Sequence, residues 1–137
     1  MVARALVKAP LLDQDLGSEQ TDFRVSECEE PGAPREGVRR IAPLHRHRSE
    51  DEAWYVLRGR LRFRFGTDEF DASEGSGVLL PRGVAHTFWN PAAEPTRYLL
   101  IVRPKTAALL QKLHQPGGTP SLAMRELFSE FDVDLLE

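Results

Sequence analysis

Two histidines one residue apart, His45 and His47, precede a cluster of acidic side chains. In an extended strand, residues i and i+2 point to the same side, so both imidazoles are expected on one face, close enough to bind a single ion. Glu52 can return on a neighbouring strand, and His86 offers a third imidazole. Imidazole nitrogen and carboxylate oxygen suit iron, manganese, nickel, zinc or copper, and the lack of thiolates disfavours a closed structural zinc site.

The same stretch also fits a solvated, charged loop. Arg46 and Arg48 flank the histidines, and an isolated His-x-His pair in such surroundings is more often a hydrated surface than a metal site. Glu50, Asp51 and Glu52 all lie within reach of the histidines. The histidine pair alone therefore identifies neither a metal nor its acidic ligand.

The elements that must position these residues are mostly strands. Residues 60–65 alternate arginine with apolar side chains, which is typical of a half-buried strand, and Gly59 supplies a turn from the strand before it. Short apolar stretches separated by Gly, Pro, Asn and Asp favour an all-β antiparallel sandwich or barrel. The predicted strands cover residues 22–26, 38–41, 52–57, 60–65, 77–80, 86–90 and 97–103.

The two ends of the chain differ from this pattern. Helical spacing of apolar residues predicts two short helices, at 105–115 and 121–131, packed on the outside of the β-domain. The resulting division is an N-terminal extension or edge strand at 1–25, a β-barrel at 26–104 and a helical tail at 105–137.

Two spaced motifs resemble those of the cupin superfamily over residues 38–104. The first places two histidines, a glutamate and a glycine, and the second a glycine, a proline, a glycine, a histidine and an asparagine. The matching residues are His45, His47, Glu52 and Gly59, then Gly75, Pro81, Gly83, His86 and Asn90. Arg39 stands where the first motif begins with glycine, a position that shapes backbone and binds no metal.

The resemblance implies a double-stranded β-helix, the jelly-roll cupin barrel. By matching position, His45, His47, Glu52 and His86 carry over as ligands of one divalent transition metal, with Fe, Mn, Ni and Zn as candidates. The quercetin-dioxygenase-like cupins suggest a dioxygenase acting on a small organic molecule, in which Glu52 shifts from ligand toward catalytic base. Two alternatives stay open: a metal-dependent isomerase or lyase, and a non-catalytic small-molecule-binding or sensor cupin.

Three further residues are candidates for a substrate pocket. Trp54 and Val56 share the parity of Glu52, and Phe88 shares that of His86, so all three should point into the barrel. Their alternative role is plain core packing. Arg60, Arg62 and Arg64 point the opposite way and favour a solvated face or a dimer contact over an anion patch.

Composition limits the partners. The chain has 137 residues, a net charge of −3 and no apolar run long enough to cross a bilayer, so neither nucleic acid nor membrane is expected as a partner. Cys28 is the single cysteine and can form no internal disulfide. With no signal peptide recognised, the expected compartment is the cytoplasm. Apolar residues in the N-terminal segment and on the outer sheet face predict a homodimer.

Overall fold

A computed structural model describes residues 4–114 and 121–137. Ten strands and two helices follow in chain order: β1 Asp15–Leu16, β2 Arg24–Glu30, β3 His45–His47, β4 Glu52–Arg58, β5 Arg60–Phe65, β6 Asp68–Ser73, β7 Gly77–Leu80, β8 His86–Trp89, β9 Thr96–Val102, α1 Pro104–Leu113, α2 Ser121–Glu130 and β10 Val133–Leu135. The first residues of the predicted N-terminal extension and the end of the first predicted helix lie outside the described residues.

The strands form two five-stranded antiparallel sheets. One has the order β1-β2-β9-β4-β7 and the other the order β10-β3-β8-β5-β6. Their inner faces enclose a core in which Trp54, Val56, Leu61 and Phe63 are at most 1% exposed. This arrangement confirms the predicted double-stranded β-helix, because consecutive strands alternate between the two sheets for much of the chain.

The predicted turn between β4 and β5 forms at Gly59, but the two strands enter different sheets. They pair with other strands and not with each other, so the hairpin that this sequence pattern indicates is wrong. Gly59 has a φ of 82°, and a Cβ atom there would lie 2.7 Å from Thr96 Oγ1, so the turn requires glycine. Beyond the turn, Leu61 and Phe63 are buried while Arg62 faces outward and forms an ion pair with Asp71 of β6. The arginine stripe therefore lies on a solvated face with acidic neighbours.

Several strand predictions differ from the structure, and β2 at Arg24–Glu30 extends four residues past the predicted 22–26. Residues 38–41 form no strand, and only an isolated bridge joins Arg40 to Trp89 in the described chain. Strands β6 and β10 were not predicted, because their sequences are short and rich in acids. Cross-strand partners with β5 and β3 stabilise them in spite of low intrinsic preference.

The C-terminal segment belongs to the barrel more closely than a purely helical tail would. Strand β10 pairs with β3, placing Val133 opposite His47 and Leu135 opposite His45. Leu109 of α1, Phe128 of α2 and Val133 form a second buried cluster. The two predicted helices thus pack against the barrel beside β3, and the segment predicted as a helical tail also contains the strand β10.

The N-terminal segment pairs within its own chain. Asp15 and Leu16 lie opposite Ser26 and Val25, which makes β1 an edge strand of the first sheet.

Across the described residues, neither helix has the length and apolar character needed to cross a bilayer.

Candidate metal centre

Four buried side chains converge inside the barrel. His45 and His47 lie on β3, Glu52 begins β4 and His86 begins β8. Each is at most 7% exposed. One ligand atom from each lies within 4.8 Å of all the others, so this cluster can bind one metal ion.

The strand register explains the convergence. His45 and His86 lie directly opposite each other on β3 and β8, and His47 shares the face of His45 two residues on. Glu52 comes from the other sheet, where it pairs with Leu80 of β7. The three imidazoles on one sheet therefore face a carboxylate on the other across the barrel interior.

Hydrogen bonds at Nδ1 orient all three imidazoles, and that of His86 lies 3.3 Å from the carbonyl oxygen of Val84. His45 Nδ1 lies 2.6 Å from the carbonyl oxygen of Pro43, which can only accept, so this nitrogen carries the proton. His47 Nδ1 lies 3.3 Å from Thr106 Oγ1, whose hydroxyl donates to Glu50 at 2.9 Å. His47 Nδ1 is therefore also the donor. Both rings present an unprotonated Nε2 to the centre, which is the form that binds metal.

The arrangement of these nitrogens fits a cation. Nε2 of His45 and Nε2 of His47 are 3.1 Å apart, and with both protons on Nδ1 two lone pairs face each other. Such a contact is repulsive without a positive charge between or beside the two atoms. Nitrogens about 2.1 Å from one ion and at right angles around it are themselves about 3 Å apart. The donor set and its spacing thus match a divalent transition metal.

Burial and neighbouring groups set the charges of the cluster. Burial, reinforced by the nearby His86, lowers the pKa of His45 to about 4, which keeps this imidazole neutral at pH 7. Burial alone would raise the pKa of Glu52, but contacts with His47 and His86 outweigh it and hold that pKa below its ordinary value. Both side chains are therefore in the protonation states that ligate metal.

The three neighbouring acids have separate roles. Asp51 lies at the surface, where its carboxylate accepts hydrogen bonds from Arg82 N at 2.9 Å and Arg82 Nε at 3.0 Å. Glu50 is buried and accepts from the backbone N–H groups of Lys105 at 3.1 Å and Thr106 at 2.7 Å. It caps the N-terminus of α1, where a carboxylate is stabilised by the helix dipole. Glu52 is thus the acid of the three that joins the histidine cluster.

An apolar cavity opens beside the cluster. Its volume is about 190 Å³, and His45, His47 and Glu52 lie in its wall. Its apolar lining combines barrel and helix residues: Ile41, Phe88, Leu100, Leu109, Leu113 and Phe128. Among the described lining residues none is lysine or arginine. The cavity therefore offers a largely hydrophobic surface to any molecule that approaches the cluster.

Only one of the three predicted pocket residues lines the cavity. All three point into the barrel, but Phe88 lines the cavity while Trp54 and Val56 lie in the hydrophobic core. Trp54 packs edge-on against Phe63 and Phe88, with ring centroids 5.1 and 5.3 Å away, and fills the barrel below the histidines. Parity predicts the face of a strand but not the depth at which a side chain lies along the barrel.

Sequence reasoning missed the contribution of the helices to the cavity. Leu109 and Leu113 follow one another at helical spacing, so an apolar face on α1 was visible, but not what it covers. Tyr98 and Leu100 of β9 line the cavity as well.

The sequence was compared with known families. Residues 36–102 match a family model described as a cupin domain. Together with the two sheets and the spaced motifs, this match decides the family. The chain belongs to the cupin superfamily. No curated protein is significantly similar to this cupin.

Solved structures share the fold of this cupin. A cupin protein from Bacteroides fragilis is 17% identical with a TM-score of 0.51, over 61% of this chain and 66% of that one. A putative sugar phosphate isomerase from Acidithiobacillus ferrooxidans and a cupin-superfamily sugar phosphate isomerase from Silicibacter pomeroyi are each 26% identical, with TM-scores of 0.51, over 61% of this chain and 51% of theirs. The chain thus spans between half and two thirds of the length of these structures.

Thr106 connects this cupin's cluster to its first helix, and its removal should weaken metal binding. In the Thr106→Val variant, His47 Nδ1 loses its acceptor, so the ring is no longer held with Nε2 toward the cluster. Losses of such outer partners typically lower metal affinity by about 10- to 100-fold. Competition with a chelating dye measures the affinity.

The matched control is Thr96→Val, another buried threonine, which hydrogen-bonds the backbone of Arg60 far from the histidines. This control should lower stability but keep metal affinity. Equal affinities for the two variants would contradict the positioning role of Thr106.

Proposed function

We propose that the protein is a metal-dependent enzyme that acts on a small organic molecule, and that its reaction resembles that of a dioxygenase. The observation that carries the proposal is the apolar cavity that ends on His45, His47 and Glu52. Buried polar clusters that face a hydrophobic pocket are the usual arrangement of a small-molecule site. The cavity of about 190 Å³ is slightly larger than the roughly 150 Å³ cavity known to bind benzene, so a single-ring molecule suits it.

The chain's residues divide the work of such a reaction. A divalent transition metal held by His45, His47, Glu52 and His86 would supply Lewis acidity and open coordination positions. The apolar walls orient the substrate and exclude bulk water, which strengthens the electrostatic effect of the cluster. Glu52 is anionic and buried, and its lowered pKa suits it to bind the ion while it faces His47 and His86. To act as a base it would have to shift away from these imidazoles, because a carboxylate with a lowered pKa accepts a proton poorly.

An isomerase or lyase is the second candidate, and the names of the two relatives at 26% identity favour it. A sugar phosphate, however, carries several hydroxyl groups and a phosphate that need polar partners. The described lining of the cavity offers few of these away from the histidines and glutamate. The hydrophobic walls therefore support a less polar substrate, and with it the dioxygenase.

The test combines metal analysis with oxygen uptake. Protein purified without added metal is analysed for bound elements, reloaded, and supplied with single-ring catechols and enols. The dioxygenase predicts metal-dependent oxygen consumption that is lost in Glu52→Gln. Turnover without oxygen consumption would identify an isomerase or lyase. Ligand binding without turnover would identify a binding protein and contradict an enzyme.

We also propose that two copies form a homodimer through the outer face of the first sheet. Phe23, Tyr55 and Leu79 are 55%, 41% and 63% exposed on the surface beside β4 and β7, where a second copy would cover them. Light scattering should give a mass near twice 15.5 kDa. Leu79→Lys should yield monomers, whereas Phe70→Lys, on an exposed residue of the other sheet, should not. A whole-chain mass near 15.5 kDa would exclude the dimer.

A further inference from the structure

A buried arginine whose Nε lacks a hydrogen-bond partner among the described residues lines a second cavity. Arg24 is 9% exposed, and its Nε has no hydrogen-bond partner among the described residues. Arg46, Arg62 and Arg82, by contrast, pair with carboxylates near the surface. A buried donor on a permanently charged group is costly to leave unpaired. Arg24 is therefore a position at which an anionic ligand would be stabilised.

The second cavity adjoins the metal-facing one. It has a volume of about 250 Å³, and Arg24 lies in its wall. Cys28, Leu100, Leu110 and His114 line both cavities, which places the two side by side beneath α1. The two cavities are therefore neighbours separated by these four side chains, and a molecule that occupies both would pass between them.

The sheet register gives the separation between the arginine and the metal cluster. Arg24 of β2 lies opposite Val102 of β9, and the pairing of Ala53 with Ile101 brings Glu52 opposite the same valine. Arg24 and Glu52 therefore stand in one row, two strand spacings apart, which corresponds to about 10 Å between their Cα atoms. A ring with a short side chain spans such a distance.

We propose that the second cavity binds the carboxylate of a small organic acid, whose apolar body lies in the metal-facing cavity. This inference rests on the proposed function and names the class of its substrate. A carboxylate matches the planar guanidinium and takes two of its N–H groups. Gln111 of α1 lines the same cavity and adds an amide donor.

The charge of the cavity favours one negative charge over two. Asp15 also lines it, with its carboxylate accepting a hydrogen bond from the Ser26 hydroxyl. The carboxylate of Asp15 repels any anion in this cavity, and it repels a phosphate dianion about twice as strongly as a monocarboxylate at the same distance. A monocarboxylate is therefore the ligand that the described residues suit.

Calorimetry on the metal-loaded protein tests the proposal with 3-phenylpropionate and its uncharged amide as probes. The wild type should bind the acid about tenfold or more tightly than the amide, since a charge-assisted hydrogen bond is lost with the amide. Arg24→Gln should remove this preference while keeping its metal content. Arg35→Gln, which removes the same charge from an exposed loop, should keep the preference.

Several outcomes would overturn the carboxylate site. These are equal affinity of the wild type for acid and amide, a preference that survives in Arg24→Gln, and displacement of the acid by equimolar inorganic phosphate. The wild-type comparison holds even if Arg24→Gln does not fold. Failure of the proposed enzyme is seen separately, as metal-loaded wild type that turns over no substrate while the preference for the acid persists.

Discussion

Alanine at all four positions His45, His47, Glu52 and His86 should abolish stoichiometric binding of a divalent transition metal. These side chains supply every ligand atom of the buried cluster, so no partial site remains in the variant. Elemental analysis of protein purified in parallel with wild type gives the metal content per chain. His114→Ala, which changes an exposed histidine of the α1 end, should retain the wild-type metal content.

Metal binding should also have a large effect on the thermal stability of the wild type. A ligand that binds only the folded state at a thousandfold excess over its Kd stabilises that state by about 4 kcal/mol. For a domain of this size this corresponds to a rise in Tm of roughly 10–20 °C. Added metal should raise the Tm of wild type by this order and leave that of the fourfold variant unchanged. Wild-type metal content in the fourfold variant would show that the ion binds elsewhere.

The second large effect concerns the choice between neighbouring acids. Glu52→Gln should lower metal affinity by orders of magnitude, because an amide replaces the anionic ligand within a buried cluster. Asp51→Asn makes the same chemical change one residue earlier. It breaks an exposed ion pair with Arg82, which is worth about 0–1 kcal/mol, and should leave the metal in place.

Chelator competition on the two variants gives both affinities on one scale. Equal losses, or a greater loss in Asp51→Asn, would contradict the assignment of Glu52 as the acidic ligand. Oxygen uptake by Asp51→Asn at the wild-type rate would further separate the surface acid from the buried one.

The candidate site could be predicted from sequence because its residues match two spaced motifs of a known family. His45 and His47 share a strand face, and the motif spacing singles out Glu52 and His86. The role of Glu50 could not be predicted, because it depends on contact with Thr106, which lies 56 residues further along the chain. The burial of Arg24 could not be predicted either, because residues of α1 from far along the chain line the same cavity.

The strands also divide into those that local sequence predicts and those that depend on distant contacts. Strands with clear alternation or apolar runs, such as β5 and β9, were predicted to within a residue or two at each end. Residues 38–41 contain two β-branched residues, Val38 and Ile41, but they join β8 through only one bridge, between Arg40 and Trp89. Acid-rich β6 and β10 exist because a partner strand is available, and a partner is a property of the whole fold.

The pairing of β10 with β3 also bears on the order in which this protein folds as it is synthesised. Arg46 of β3 and Asp134 of β10 are joined by a hydrogen bond across 88 residues. Translation from the N-terminus delivers β10 after every other strand, so the edge of β3 stays unpaired while the rest of the barrel emerges from the ribosome. Contacts this distant in sequence close late because of their loop entropy. The strand that carries His45 and His47 thus gains its second neighbour only when β10 arrives, although its pairing with β8 and the four ligand residues precede that step in the chain.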